Sequence, residues 1–283
     1  MAILFIAGAI LFTTLMTTFF KVAGKLNIEL PWAISLNYLI CCGVGLSFSP
    51  GALHVGISHG GIFILLFAVA GAMFTINFHL MGINTRISGL CSTVALSRMS
   101  LVIPVACSAL IYHEKFGPMH IIGGLLALLA VVLINSGAGD KKVVARQLTV
   151  VGALLFLFNG LADTLFKVFT IEFPEVRGWD FAILCFGAAF FLSLPFALRQ
   201  GIPQIKHLVA GVFLGLFNFF ALVCFLNALT LVEGPVVYPV NHIGTLVLTS
   251  LVAFLGFREP FHYKKLIGFV AAGLAIFLLL FPL

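Results

Sequence analysis

Apolar runs of about 20 residues recur along this chain, and the short gaps between them hold most of its charge. A helix needs about 20 such residues to cross the roughly 30 Å hydrocarbon layer of a bilayer. Bounded by charged or Pro/Gly breaks, the runs fall at 2–20, 31–48, 61–82, 90–112 and 118–136, then at 148–168, 180–198, 208–231, 235–257 and 262–282. The breaks near 84–89 and 232–235 are the shallowest. Only 8% of the 283 residues are charged, against about a quarter in a soluble domain, so the chain cannot cover a water-facing surface. The reading is an all-α, multi-pass membrane protein of ten transmembrane helices.

Residues 2–20 could pass for a secretion signal. The run has no basic residue ahead of it, exceeds the length of a signal core and lacks a small-residue cleavage site, so it reads as the first membrane helix. The six cysteines all lie inside apolar runs and none forms a C-x-x-C pair. Neither a disulfide framework nor a zinc site is expected, and no cofactor either.

The first five runs resemble the second five. "YHEKFGPMHIIGG" (112–124) aligns with "FREPFHYKKLIGF" (257–269) at a shift of 145, matching Glu114 to Glu259, Phe116 to Phe261 and Gly123 to Gly268. The same shift matches Gly89 to Gly234, and "FFKV" (19–22) echoes "LFKV" (165–168). The division is therefore 1–136, a polar linker at 137–147, and 148–283. A repeat with an odd number of helices must insert its second copy upside down. Inverted repeats of this kind are a transporter architecture, with the site near the midplane between the halves.

The gaps after odd-numbered runs hold eleven of the fifteen lysines and arginines, and the opposite side holds three. The positive-inside rule then puts both termini outside. The net charge of +6 reflects this bias and calls for no nucleic-acid partner.

"IPVACSALIYHEKFGPMHIIGGLLALLAVVLI" (103–134) and "FLGFREPFHYKKLIGFVAAGLAIFLLL" (254–280) resemble the closing helix pairs of EamA-type repeats in the drug/metabolite transporter superfamily. The shared features are a Pro-Val in the first helix, a glutamate at the turn and a Gly/Ala/Leu-rich second helix. The resemblance covers the whole chain. It implies a ten-helix bundle of the bacterial cytoplasmic membrane that exports or exchanges small metabolites by alternating access. It also implies that 2–20, 61–82, 90–112, 148–168, 208–231 and 235–257 line a central cavity, with 118–136 and 262–282 peripheral. Many bacterial members look N-terminus-inside, so the resemblance and the charge count leave both orientations open.

Polar residues within the runs are the candidate site. Arg98 has no acidic residue within ten positions on either side. It either snorkels to the interface or faces a wet cavity, where its fork of donors suits a carboxylate or phosphate. The second reading is favoured, because an intramembrane ionisable group is a site hypothesis by default. "VYPVNHIGT" (237–245) gathers Tyr238, Asn241 and His242 beside Pro239. His242 is either a ligand or proton carrier, or bonded to a neighbouring helix. In "FNGLADTLFKV" (158–168), Asn159, Asp163 and Lys167 share one helical face. An Asp163–Lys167 pair is the simpler reading, and Asp163 facing the cavity is the alternative. Asn77, His79, Asn218 and Asn227 could be interhelical glue, with Asn77 retained as a substrate contact. The threonine pairs Thr13/Thr14 and Thr17/Thr18, one turn apart, suit close packing equally well.

Glu114 and Glu259 precede helices and read as caps or hinges. "GVFLG" (211–215) matches the small-residue pattern of close helix approach, compatible with a monomer or a homodimer. "GISHG" (56–60) matches a nucleophile elbow, but that motif needs a strand before it and a soluble α/β sheet around it. An intramembrane enzyme or a non-transporting scaffold are the rival classes. The expectation is a secondary transporter, not an enzyme, for a small polar metabolite such as an amino acid or organic anion. Arg98, Tyr238, Asn241, His242, Asn77 and Asn159 would contact it, with Asp163 the ion-coupling candidate and no metal.

Overall fold

The computed structural model describes residues 1–100, 102–104, 107, 111, 118–135, 150–232, 234–258 and 263–280. Among them every regular element is a helix and no strand occurs. In chain order these are α1 (Ala2–Lys25), α2 (Leu30–Phe48), α3 (Ala52–Ser58), α4 (Gly60–Ser88), α5 (Leu90–Met99), α6 (Pro118–Asn135), α7 (Val150–Glu172), α8 (Gly178–Leu198), α9 (Ile205–Leu231), α10 (Gly234–Phe257) and α11 (Tyr263–Leu280). Seven of them are long and apolar enough to cross a membrane. This is a multi-pass, all-helical membrane protein.

Two differences from the sequence reading have local causes. A seven-residue helix, α3, sits in the gap after α2, and Gly60 at φ 83° turns the chain from it into α4. Only glycine adopts that backbone freely. Helix α4 runs on to Ser88, six residues past the expected end, because the polar residues Asn84 and Thr85 are buried rather than looped out. Gly89, at φ 84°, then makes the sharp turn into α5. Glu114, Glu259 and the linker 137–147 lie outside the described residues.

Helix α1 lies along α9 and α10, while α7 lies along α4 and α5. Helix α2 packs on α8 and α9, and α8 packs on α2 and α4. Helices α6 and α11 pair chiefly with each other. Close approach depends on glycine. A Cβ on Gly211 would lie 2.8 Å from Leu36 Cβ, and one on Gly215 would lie 2.9 Å from the Asn37 carbonyl oxygen. The "GVFLG" pattern thus seats α9 on α2 within one chain. Gly71 does the same for α4 on α8, where a Cβ would meet the Ala189 nitrogen and the Cys185 oxygen at 2.8 Å each. Gly215→Val should lower stability by ~1–3 kcal/mol, the usual cost of overpacking. Thermal melts of the purified variant in detergent check this.

Two polar clamps fix helix ends. Asp180, buried in the first turn of α8, accepts from Ser49 Oγ and from Arg177 Nε at 3.0 Å, and Arg177 Nη2 donates to Ser49 Oγ at 2.8 Å. The carboxylate also suits the positive end of the helix. At the start of α2, the Glu29 amide donates to Nδ1 of buried His207 at 3.0 Å. Neither clamp was singled out from the sequence, where all these residues sit in or beside gaps.

Candidate functional site

A cavity of about 160 Å³ lies where α1, α4, α5, α7, α9 and α10 converge, with Phe186 of α8 added to its wall. All seven site candidates, Arg98, Asn77, Asn159, Asp163, Tyr238, Asn241 and His242, line it. Among the described residues neither α6 nor α11 contributes. The helices that line the cavity are those the family resemblance implies, plus α8.

Local folding aims Arg98 at this space. The turn at Gly89 is locked by Thr93, whose Oγ1 donates to the Gly89 carbonyl at 2.8 Å and accepts from Asn84 Nδ2 at 3.0 Å. From there the apolar face of α5 (Leu90, Cys91, Val94, Ala95) turns inward and Arg98 follows it. At the end of α5, Asn159 Nδ2 donates to the Ser97 carbonyl at 3.0 Å and to Ser100 Oγ at 2.9 Å. Gly160 lets α7 come this close, since a Cβ there would strike Ile103. Arg98 is only 8% exposed, and its Nε has no hydrogen-bond partner. Snorkelling would have left it at the surface.

Asp163 turns toward His242, with Oδ2 3.5 Å from Nε2. That is ion-pair range without hydrogen-bond alignment, and Asp163 Oδ2 counts as unpartnered. Arg98 is the cavity's cation and Asp163 its anion among the described lining residues. His242 is 3% exposed, and Ser97, which the repeat shift equates with it, faces the same space. Buried polar atoms are normally paired, yet Asn77 Oδ1, Asn241 Oδ1, His242 Nδ1 and Ser97 Oγ are all unpartnered as well. This concentration of unmet polar atoms around one cavity is what a ligand site requires.

The remaining candidates divide. Asn218 bridges helices, donating to Asn37 Oδ1 at 3.1 Å at the edge of the cavity. Asn227 and His79 bond carbonyls of their own helices, Val223 and Thr75, at 2.8 Å each. Thr13 lines the cavity, while Thr17 meets Thr249 across to α10 at 3.4 Å. Sequence reasoning missed Asn37, whose isolation in an apolar run was a visible signal, and Ser97. It also missed the aromatic wall of Phe74, Phe78, Phe166, Phe186 and Phe225. With 31 phenylalanines in the chain, no pattern marks those five. From Phe166 a column of rings continues through Phe181 and Phe169, stacked at 4.0 Å, to Phe63, Phe173 and His59 near α3.

The "GISHG" segment brings Ser58 Oγ within 3.2 Å of His59 Nδ1, and His59 Nε2 within 3.7 Å of Glu175. His59 Nδ1 lies still closer, 2.9 Å, to the Val55 carbonyl, which can only accept. The proton therefore sits on the nitrogen facing Ser58, and that nitrogen cannot act as its base. Among the described residues no group of three His, Cys, Asp or Glu could hold a metal ion.

No family model matches the chain. It is similar to an uncharacterized protein of Haemophilus influenzae, 24% identical over 287 residues that span 96% of this chain and 95% of the relative. It is also similar to a crystal structure at 15% identity and a TM-score of 0.68, covering 98% of this chain and 96% of the other. Similarity of that kind extends to the arrangement of the helices along the whole chain, and so to the fold.

Proposed function

We propose that this protein is a secondary transporter of the EamA type, carrying a small zwitterion such as an amino acid across a bacterial cytoplasmic membrane by export or exchange. The observation that carries the reading is the central cavity, which holds Arg98 and Asp163 among helices from both halves of the chain. Two repeated halves, 1–136 and 148–283, are supported by the packing, and five spans in each would insert the second upside down. Exchanging α1 with α7, α2 with α8, α4 with α9 and α5 with α10 turns each major contact into another: α1 on α9 becomes α7 on α4, and α2 on α9 becomes α8 on α4. Rocking of such halves about a midplane site is how inverted-repeat carriers alternate access.

The unmet atoms favour a zwitterion. Arg98 offers donors suited to a carboxylate. Asp163 Oδ2, Asn77 Oδ1 and Asn241 Oδ1 are acceptors without donors, matching an ammonium with three N–H groups. All three belong to residues that line the cavity. The aromatic wall suits an apolar body. A cavity of about 150 Å³ accepts benzene, which sets the ligand at roughly six to ten non-hydrogen atoms. The bacterial relative is in keeping with the proposed membrane.

The test is a thermal-shift screen of the purified protein against amino acids and organic anions, followed by flux of the hits in proteoliposomes. Stabilisation without flux would replace the carrier by a receptor or scaffold. Ser58→Ala should leave flux unchanged, because Ser58 lies outside the cavity; loss of flux in that variant would revive the enzymatic reading.

A further inference from the structure

A second, larger hollow of about 530 Å³ lies on the outer face of the bundle between α1 and α9. Its walls are apolar: Leu15, Phe19 and Val22 on one side face Val209, Ala210 and Phe213 on the other. Thr18 is the one uncharged polar lining residue, and no acidic residue lines the hollow. Val209 and Phe213 are exposed, so the hollow opens outward to the membrane. It extends from Leu15 to Leu26 along α1 and from Ile205 to Phe217 along α9. At 1.5 Å per residue that is a groove of about 16–18 Å, close to one leaflet of a hydrocarbon core about 30 Å thick. Lys206 stands at the end where α9 begins and where α1 finishes with Lys25. Among the described residues no hydrogen bond or ion pair ties down the exposed Lys206 ammonium. The nearby acid, Glu29, is directed at His207 instead, with Oε2 3.8 Å from Nε2.

We infer that this groove is a binding site for one acyl chain of an anionic phospholipid, with the headgroup phosphate held at Lys206. Length, apolarity and a cation at one end are the three properties such a lipid presents in complement. A second copy of this chain is a poorer occupant. Two-fold pairing about an axis normal to the membrane makes the same patch meet itself, and would set the two Lys206 ends side by side. The site is separate from the central cavity and does not depend on what that cavity carries.

Native mass spectrometry of the detergent-purified protein tests this, with phosphatidylglycerol and phosphatidylcholine of identical acyl chains. The wild type should retain phosphatidylglycerol about fivefold better, the Boltzmann factor for one lysine at an anionic surface. Lys206→Gln should bring that ratio close to one, and Ala210→Trp, which fills the groove, should reduce retention of both lipids. Lys206 is exposed, so its variant remains informative even if Ala210→Trp fails to fold. Equal retention of the two lipids by the wild type, survival of the preference in Lys206→Gln, or a dimer in place of bound lipid would each overturn the inference.

Discussion

Replacing Arg98 by methionine should abolish transport while leaving the empty protein as stable as before, or more so. The two effects have opposite signs for one reason. Arg98 is buried beside the cavity and its Nε has no hydrogen-bond partner. A buried charge without a hydrogen-bonded counter-ion costs free energy, and an apolar side chain of similar volume is often neutral or stabilising in its place once Asp163 takes up a proton and no net charge is left behind. In the loaded cavity the same group holds the ligand's carboxylate. Removing one member of a buried charge pair costs about 2–5 kcal/mol of binding, at least roughly thirtyfold in affinity. The measurement pairs melting temperature without ligand against flux in proteoliposomes. An arginine that merely packed would lose stability on substitution and leave flux near normal. Arg98→Lys sharpens the test, since lysine keeps the charge and loses the planar fork. Flux in that variant should fall well below wild type, and near-normal flux would remove the carboxylate assignment.

That Arg98 faces a cavity was legible in the sequence because charge in an apolar run has few affordable places. The same physics drew out His242, Asn241 and Asp163, and all of them line one space. Pairing Asp163 with His242 was not legible. Residues 163 and 242 lie on α7 and α10, and no local rule brings those helices together. Spacing along α7 put Asp163 with Lys167, whereas the folded chain turns its carboxylate to within 3.5 Å of a histidine 79 positions away. Helix boundaries failed where burial overrode polarity, as at Asn84 and Thr85, which read as a break but lie inside α4. Aromatic residues carried least information. Their spacing is the same whether they face lipid, the core or the cavity, so only the packed helices reveal which five form its wall.

Asp163→Asn should invert the ligand preference of the cavity, and this follows from charge balance. Leaving a net charge on a largely buried site closed around its ligand costs several kcal/mol, so each loaded state must come close to neutrality. The lining supplies one cation, Arg98, and one anion, Asp163. A zwitterion adds no net charge and can load with Asp163 ionised. A simple carboxylate adds −1, and loads only if a proton joins Asp163, with His242 beside it as the carrier. Asparagine keeps the shape and removes the negative charge, leaving the empty cavity at +1. A zwitterion would then lose its ammonium partner, a charge-assisted hydrogen bond worth about 1.5–3 kcal/mol, or roughly tenfold or more in affinity. The deaminated carboxylate with the same side chain would now neutralise the cavity unaided, and its binding should tighten and cease to depend on proton uptake. Competition between such a matched pair, measured in wild type and Asp163→Asn, reads the inversion directly. An unchanged ratio would show that Asp163 does not face the ligand's amine, and the zwitterion assignment would fall while the Arg98 site stood.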